Sequence, residues 1–102
     1  MARTESAFRE VNEAIATTAA RFDAEETDFV CECADTSCAE RLTAPLDSYE
    51  EVRSKPTRFL LAPGHDEPEI ERIVEQNRDY HVVEKFGSVV TTIVQQLDPR
   101  AA

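Results

Sequence analysis

The chain contains very little glycine and no tryptophan: Gly64 and Gly87 are the only two glycines among its 102 residues. The phosphate-binding loops of nucleotide enzymes need several closely spaced glycines, because their backbone must approach the phosphate groups. Two isolated glycines exclude such a loop in this sequence. Long apolar runs are absent as well, and none approaches the roughly 20 residues that a membrane-spanning helix requires. We therefore expect neither a glycine-rich nucleotide site nor a membrane protein.

Positive charge is also scarce in this chain. It has 11 Lys and Arg against 21 Asp and Glu, which gives a formal net charge of −10. Seven of the acids and no base fall within residues 23–40. An acidic surface repels nucleic-acid phosphates, so we expect no direct nucleic-acid binding. The charge is compatible with solubility alone, with a basic protein partner, or with an acidic decoy that mimics nucleic acid.

The first residues lack the apolar segment of a secretory signal peptide, and we therefore expect a cytoplasmic protein. Thiols stay reduced in that compartment, so a structural disulfide is not expected. Three cysteines are also an odd number and cannot all pair within one chain. The cysteines thus need an explanation other than disulfide bonding.

All three cysteines lie within eight residues, as Cys31, Cys33 and Cys38 in the spacing C-x-C-x4-C. Thiolate and imidazole groups are favoured zinc ligands, and four of them complete a tetrahedral shell. His65 follows a Pro-Gly turn, an exposed position from which its ring can reach the cysteines. We predict that Cys31, Cys33, Cys38 and His65 bind one Zn²⁺, and that this closed shell is structural because it leaves no position for water.

Several alternatives remain open for this cluster. The fourth ligand could be Asp35, His81 or Glu32 in place of His65. The centre could hold an iron–sulfur cluster, although the fourth ligand lies far along the chain and zinc is favoured. The thiols could also form a redox sensor, or be inert residues that fill the core as small hydrophobic side chains.

A geometric constraint acts on Cys31 and Cys33, because both fall within a predicted strand over residues 29–33. Side chains two residues apart on an ideal strand lie about 6.5 Å apart, which is too far for two thiolates on one zinc ion. We therefore expect the strand to bend or bulge at this point.

Nothing in the sequence marks a catalytic centre, and we predict a protein that is not an enzyme. Cys38 and His65 could be paired as nucleophile and base, but no feature activates one thiol over the others. Carboxylates are plentiful but lie in hydrated runs, where the choice of any acid–base pair would be arbitrary.

The pattern of apolar residues predicts a single α+β domain over residues 1–102, with helices packed on a small, mainly antiparallel sheet. An N-terminal amphipathic helix over residues 5–22 precedes a metal-stabilised core over residues 29–98. The apolar stripe of that helix packs on the core, or forms at most a small dimer seam; its members are Phe8, Val11, Ile15 and Phe22.

Within the core, we predict strands over residues 29–33, 39–46, 57–62 and 79–86, and the first two form a metal-stabilised hairpin. A short helix is expected to start from capping residues Asp47 and Ser48, with Tyr49 and Val52 inward. Another helix is expected to open at residues 66–68 and to carry Ile70, Ile73 and Val74 on one face. Residues 88–97 are predicted as a helix, although their β-branched side chains also suit a strand after a hairpin turn.

Six stretches of the sequence together form a recognisable pattern. They are Phe8–Glu13, Phe29–Asp35 with Cys38–Arg41, Tyr49–Arg53, Pro56–Phe59, Ala62–His65 and Val82–Lys85. On these stretches the chain resembles a family of short, acidic, uncharacterised bacterial proteins over residues 8–100. The resemblance implies that the three cysteines and His65 belong to one pattern, as expected for a shared site. It implies no assigned activity.

Together these observations predict a small cytoplasmic zinc-binding module that acts by binding a protein partner, as a monomer or weak dimer. A thiol-based redox sensor and an acidic decoy for a basic protein are the alternative functions. The sequence specifies neither the partner nor the biological process.

Overall fold

The computed structural model describes residues 2–98 and Arg100, and within them it shows three helices and two small antiparallel sheets. The elements are α1 (Ala2–Arg21), β1 (Glu26–Val30), β2 (Arg41–Pro45), α2 (Leu46–Arg53), β3 (Arg58–Leu61), β4 (Glu71–Gln76), β5 (His81–Lys85) and α3 (Ser88–Gln96). Strands β1 and β2 form a hairpin, and β5 lies between β3 and β4 in the second sheet. The predicted α+β class is confirmed.

The two sheets meet at Glu32, the second residue after β1. The N–H of Glu32 donates to the carbonyl oxygen of Leu60 at 2.8 Å, and the N–H of Leu60 donates to Glu32 Oε1 at 2.9 Å. This pair of hydrogen bonds joins the end of the β1–β2 hairpin to β3. It also brings the loop that follows β1 against the end of β3, where the cysteines and His65 meet.

The hydrophobic core is built from both sheets together with α2 and α3. Phe29 and Tyr49 stack within it, with ring centroids 4.5 Å apart. Full burial of such a side chain contributes about 1.5–3 kcal/mol, so a short list of large residues gives a modest core. The large apolar side chains with no exposure are Phe29, Tyr49, Phe59, Leu60, Leu61, Val83 and Val94.

Helix α1 buries a different face from the one that its apolar stripe predicts. Val11 is 46% exposed, and Phe22, just beyond the helix, is 80% exposed, so the prediction that this stripe packs on the core is wrong at both positions. The buried residues of α1 are instead Glu5, Ser6, Arg9, Asn12 and Ala16. Their spacing of three to four residues places them on one side of the helix. Polar partners in other elements, described below, explain why this side is the buried one.

The helix predicted to open at residues 66–68 is wrong, because residues 71–76 form strand β4. This strand pairs with β5, and its register shifts between Ile73 and Glu75. Such a bulge inserts an extra residue and interrupts the two-residue alternation of a strand. The apolar residues Ile70, Ile73 and Val74 are then spaced as on one face of a helix. Ile73 and Val74 are 39% and 38% exposed, so neither forms the predicted inward face.

The other helix predictions differ from the structure by one to three residues at their ends. Helix α2 begins at Leu46, one residue before the predicted capping residues, and no side chain caps its N-terminus. The N–H of Leu46 donates to the carbonyl oxygen of Glu25 at 2.9 Å, so backbone replaces the expected cap. Helix α3 confirms the helical prediction for residues 88–97. None of the helices in the described part of the chain is long and apolar enough to cross a membrane.

Candidate metal centre

Two separate segments of the chain carry the predicted ligands. Cys31 comes directly after β1, and Cys33 follows it in the same connection. Cys38 lies further along this loop, before β2, and His65 lies in the turn after β3. Because β1 ends at Val30, neither Cys31 nor Cys33 has to keep the spacing of a regular strand. The spacing of about 6.5 Å that an ideal strand would impose on the two thiols therefore does not apply to this C-x-C segment.

The four predicted ligands form one cluster. The sulfur atoms of Cys31, Cys33 and Cys38 and a ring nitrogen of His65 all lie within 4.8 Å of one another. His65 Nδ1 is 3.5 Å from Cys31 Sγ and 3.7 Å from Cys38 Sγ. A tetrahedral zinc ion with typical bond lengths separates a thiolate sulfur from an imidazole nitrogen by about 3.6 Å. The cluster is therefore positioned to bind a single metal ion.

A tight turn places His65 at the cluster. The N–H of His65 donates to the carbonyl oxygen of Ala62 at 3.2 Å, which closes a four-residue turn through Pro63 and Gly64. Gly64 has a φ of 85°, the left-handed value that the third residue of a type II turn requires. Proline in the second position and glycine in the third therefore fix the direction in which the imidazole leaves the chain.

A second turn places Cys38. Asp35 Oδ1 accepts hydrogen bonds from the N–H of Ser37 at 2.9 Å and from its hydroxyl at 2.7 Å. The N–H of Cys38 donates to the carbonyl oxygen of Asp35 at 3.0 Å. These hydrogen bonds from Ser37 lower the pKa of the Asp35 carboxyl. Asp35 thus shapes the loop rather than joining the cluster.

The remaining alternative ligands also lie outside the cluster. Both carboxylate oxygens of Glu32 accept hydrogen bonds from other residues, Oε1 from the N–H of Leu60 and Oε2 from Asn12 Nδ2 at 2.7 Å. His81 lies within β5 and is 8% exposed. Neither side chain is a member of the four-residue group. The structure therefore brings together the four predicted ligands and leaves the three alternatives outside their group.

The surroundings of the cluster suit a thiolate-bound cation. Cys31 and Cys33 are buried, whereas Cys38 and His65 are partly exposed. The N–H of Ala62 donates to Cys31 Sγ at 3.1 Å, a contact that stabilises negative charge on sulfur. Burial raises the pKa of the Cys31 and Cys33 thiols, and the neighbouring cysteines raise that of Cys31 further. A metal ion that binds here has to displace thiol protons, so its affinity would rise with pH.

Sequence reasoning missed one residue beside the cluster, Asn12 of α1. This side chain is fully buried and contacts the chain on both sides of Cys31, through Val30 and Glu32. Within the sequence it is one polar residue among many on a helix, and nothing there distinguishes it from a solvent-facing side chain.

No protein-family model, no curated protein and no solved structure matches this chain. The resemblance to a family of acidic bacterial proteins therefore stays a prediction. The site has to be interpreted from its own geometry and chemistry.

Proposed function

We propose that Cys31, Cys33, Cys38 and His65 hold one Zn²⁺ as a structural ion in a small regulatory module. The observation that carries this proposal is the convergence of four donor atoms within 4.8 Å from two separate segments of the chain. Buried thiols that only fill space have no reason to select a histidine nitrogen as a common neighbour. Four protein ligands also leave no coordination position for a water molecule, as is typical of structural zinc sites.

The spacing of the donor atoms supports a single ion over an iron–sulfur cluster. A cluster places several iron and sulfide atoms between its ligands, so some ligand pairs have to lie far apart. Here the distances from His65 Nδ1 to the sulfur atoms of Cys31 and Cys38 match the separation expected around one zinc ion. Three soft thiolates with one imidazole also favour zinc among the common divalent metals.

The position of the site supports a structural role. Cys31, Cys33 and Cys38 belong to the hairpin loop, whereas His65 belongs to the turn after β3. An ion shared by these segments crosslinks the two sheets. A domain of this length buries a modest core, and metal ligation supplies folding free energy that such a core lacks.

The burial of two thiols argues against the redox-sensor alternative. Redox-sensing cysteines are exposed and have lowered pKa values, because the thiolate is the reactive form. Cys31 and Cys33 are only 2% and 4% exposed, and burial raises the pKa of each. These thiols have the properties of metal ligands or core residues rather than of reactive groups.

Metal analysis tests the zinc proposal directly. We expect protein purified without added metal to contain about one zinc ion per chain, with three thiols that resist alkylation until a chelator is added. Elemental analysis combined with thiol titration measures both quantities. A folded, metal-free protein that also takes up no added Zn²⁺ would contradict the proposal.

We further propose that the module acts by binding a protein partner with a basic surface. Phe22 is 80% exposed, and the acidic residues Asp23, Glu25, Glu26 and Asp28 follow it at exposed positions. An exposed aromatic ring beside a cluster of carboxylates is complementary to an apolar pocket with a basic rim. The absence of catalytic groups in the sequence is consistent with a binding role.

A comparison of two phenylalanine variants tests this binding role. The immobilised protein is expected to retain a basic partner from native cells, and the Phe22→Ser variant to lose it. The control variant Phe86→Ser, at a 42% exposed phenylalanine directly after β5, is expected to retain it. Retention is also expected to fall as ionic strength rises from about 0.1 M to about 1 M, because salt screens exposed charges. Equal retention by the two variants would contradict a partner site at Phe22.

A further inference from the structure

Along the four residues Val30–Cys33, contacts with helix α1 alternate with members of the cysteine–histidine cluster. Cys31 and Cys33 contribute to the metal cluster, whereas Val30 and Glu32 hydrogen-bond to helix α1. Each cysteine in this segment is therefore directly next to a residue that contacts α1. A displacement of either cysteine therefore moves the groups that hold α1, and a displacement of α1 moves the ligands.

Asn12 provides the contact on the side of α1. Its Nδ2 donates to the carbonyl oxygen of Val30 at 2.8 Å and to Glu32 Oε2 at 2.7 Å. Its Oδ1 accepts from the N–H of Val30 at 2.8 Å. The side chain uses both kinds of group that it offers, and it has no exposure to solvent. Asn12 thus fixes the backbone immediately before the first ligand.

Strand β3 completes this arrangement from the opposite side. Glu32 exchanges two hydrogen bonds with the backbone of Leu60, and the N–H of Ala62 donates to Cys31 Sγ. The Glu32 carboxylate is therefore held between α1 and β3, while the sulfur of Cys31 is held by the N–H of Ala62, the residue after β3. Each group in this buried set has one geometry in which its hydrogen bonds are satisfied.

The docking of α1 depends on such polar contacts to an unusual degree. Its buried face carries Glu5, Arg9 and Asn12 beside the apolar Ala16, so much of the contact that holds the helix is lost with the polar geometry. Arg9 donates to the carbonyl oxygens of Pro56 and Val94, which again requires a defined position. Unmade hydrogen bonds in a buried layer are costly, so α1 either docks in this position or loosens.

From these contacts we infer that Asn12 is a positioning residue of the metal centre and that metal binding and the docking of α1 stabilise each other. The inference rests on the proposed metal site. Coupling of this kind is reciprocal: if the ion favours the docked helix, then the docked helix raises the affinity for the ion by the same factor. Loss of the ion is expected to loosen α1 before the β3–β5–β4 sheet.

The test compares Asn12→Leu with Thr17→Ala, a control on the exposed side of the same helix. Leucine keeps a similar volume but makes none of the three hydrogen bonds. We expect Asn12→Leu to weaken Zn²⁺ binding about 10-fold, the lower end of the loss seen when a hydrogen-bond partner of a metal ligand is removed, because Asn12 holds the two neighbours of Cys31 and not the ligand itself. The Thr17→Ala variant is expected to bind Zn²⁺ as the wild type does. Competition with a chromophoric chelator measures the affinity, and the absorption bands of bound Co²⁺ report the ligand geometry.

A purely structural role of Asn12 predicts a different result. In that case Asn12→Leu destabilises the protein equally with and without Zn²⁺ and leaves the Zn²⁺ affinity and the Co²⁺ spectrum unchanged, which would overturn the inference. If the wild type binds no Zn²⁺, both the proposed metal site and the inference fail. If the wild type binds Zn²⁺ with an affinity that does not depend on Asn12, only the inference fails.

Hydrogen exchange of the wild type covers the case in which Asn12→Leu does not fold. Removal of Zn²⁺ is expected to speed exchange of the amides of α1 around Asn12 more than that of the amides of β5. A uniform change across α1 and β5 would overturn the inference, because α1 would then be no more closely linked to the ion than a distant strand.

Discussion

Substitution of Cys38 by serine is expected to lower the free energy of unfolding by about 5 kcal/mol in the presence of zinc, and the midpoint of thermal unfolding by about 20 °C or more. Cys38 is the partly exposed thiol, so serine removes little packing and the loss reports the metal bond. A loss of this size is a large part of the total stability of an ordinary domain. Thermal and urea unfolding of the zinc-loaded wild type and variant measure the difference.

The chelated proteins provide the control for this prediction. Without metal, the wild type and Cys38→Ser are expected to have nearly the same stability, because the sulfur then only borders the core. The difference between the two comparisons isolates the contribution of the ion. If Cys38→Ser costs the same with and without a chelator, or if the chelator leaves the wild type unchanged, the thiols are inert core residues.

The candidate site could be predicted from the sequence because its chemistry is carried by few residues of distinctive type. Three thiols fall within one loop, and the Pro-Gly turn before His65 presents an imidazole from a second place in the chain. Thiolate and imidazole have few other reasons to occur together in a domain of this kind. The end of β1 at Val30 could not be predicted, because the alternation of Phe29, Cys31 and Cys33 continues beyond the strand.

The buried face of α1 could not be predicted, because its determinants lie far away in the sequence. Glu5 is buried against Lys85, which is 80 residues away, and Arg9 against Pro56, which is 47 residues away. A hydrophobic pattern detects only apolar residues, so it assigned the core-facing side to Phe8 and Val11. β4 was missed for a more local reason, since its bulge at Val74 produced the spacing of an amphipathic helix.

Replacement of Lys85 by methionine is expected to lower the free energy of unfolding by about 3–5 kcal/mol at neutral pH, because it leaves the negative charge of the buried Glu5–Glu71 pair without a counter-charge. The ammonium group of Lys85 is fully buried and contacts the carboxylates of Glu5 and Glu71, which are themselves 1% exposed. It also lies 5.2 Å from the centroid of the Phe59 ring. Methionine has a similar length and keeps the apolar packing of the side chain, so urea unfolding would report mainly the loss of charge.

Arg72→Met on the neighbouring strand is the matched control for Lys85→Met. Arg72 pairs with Glu84 at 2.8 Å, but its side chain is 68% exposed. An exposed ion pair contributes at most about 1 kcal/mol, so this variant is expected to stay close to the wild type. Equal losses from the two substitutions would contradict the assignment of a buried charge cluster to Lys85.

The buried charge cluster of Lys85, Glu5 and Glu71 also predicts how stability changes with pH. The variant that tests this pH dependence is Glu5→Gln. Burial and a hydrogen bond with Glu71 raise the pKa of Glu5 to about 8, from an ordinary value of 4.5. The folded chain then keeps a proton that the unfolded chain releases, so the stability from this group is full below about pH 4.5 and is lost as the pH rises through 8. Glutamine cannot ionise, and the stability of Glu5→Gln relative to the wild type is therefore expected to rise between pH 5 and pH 9. The four candidate metal ligands are the same in both proteins, so any pH dependence that they contribute cancels in this comparison. A difference that stays constant over that range would mean that Glu5 is ionised throughout, and that Lys85 alone offsets both carboxylates.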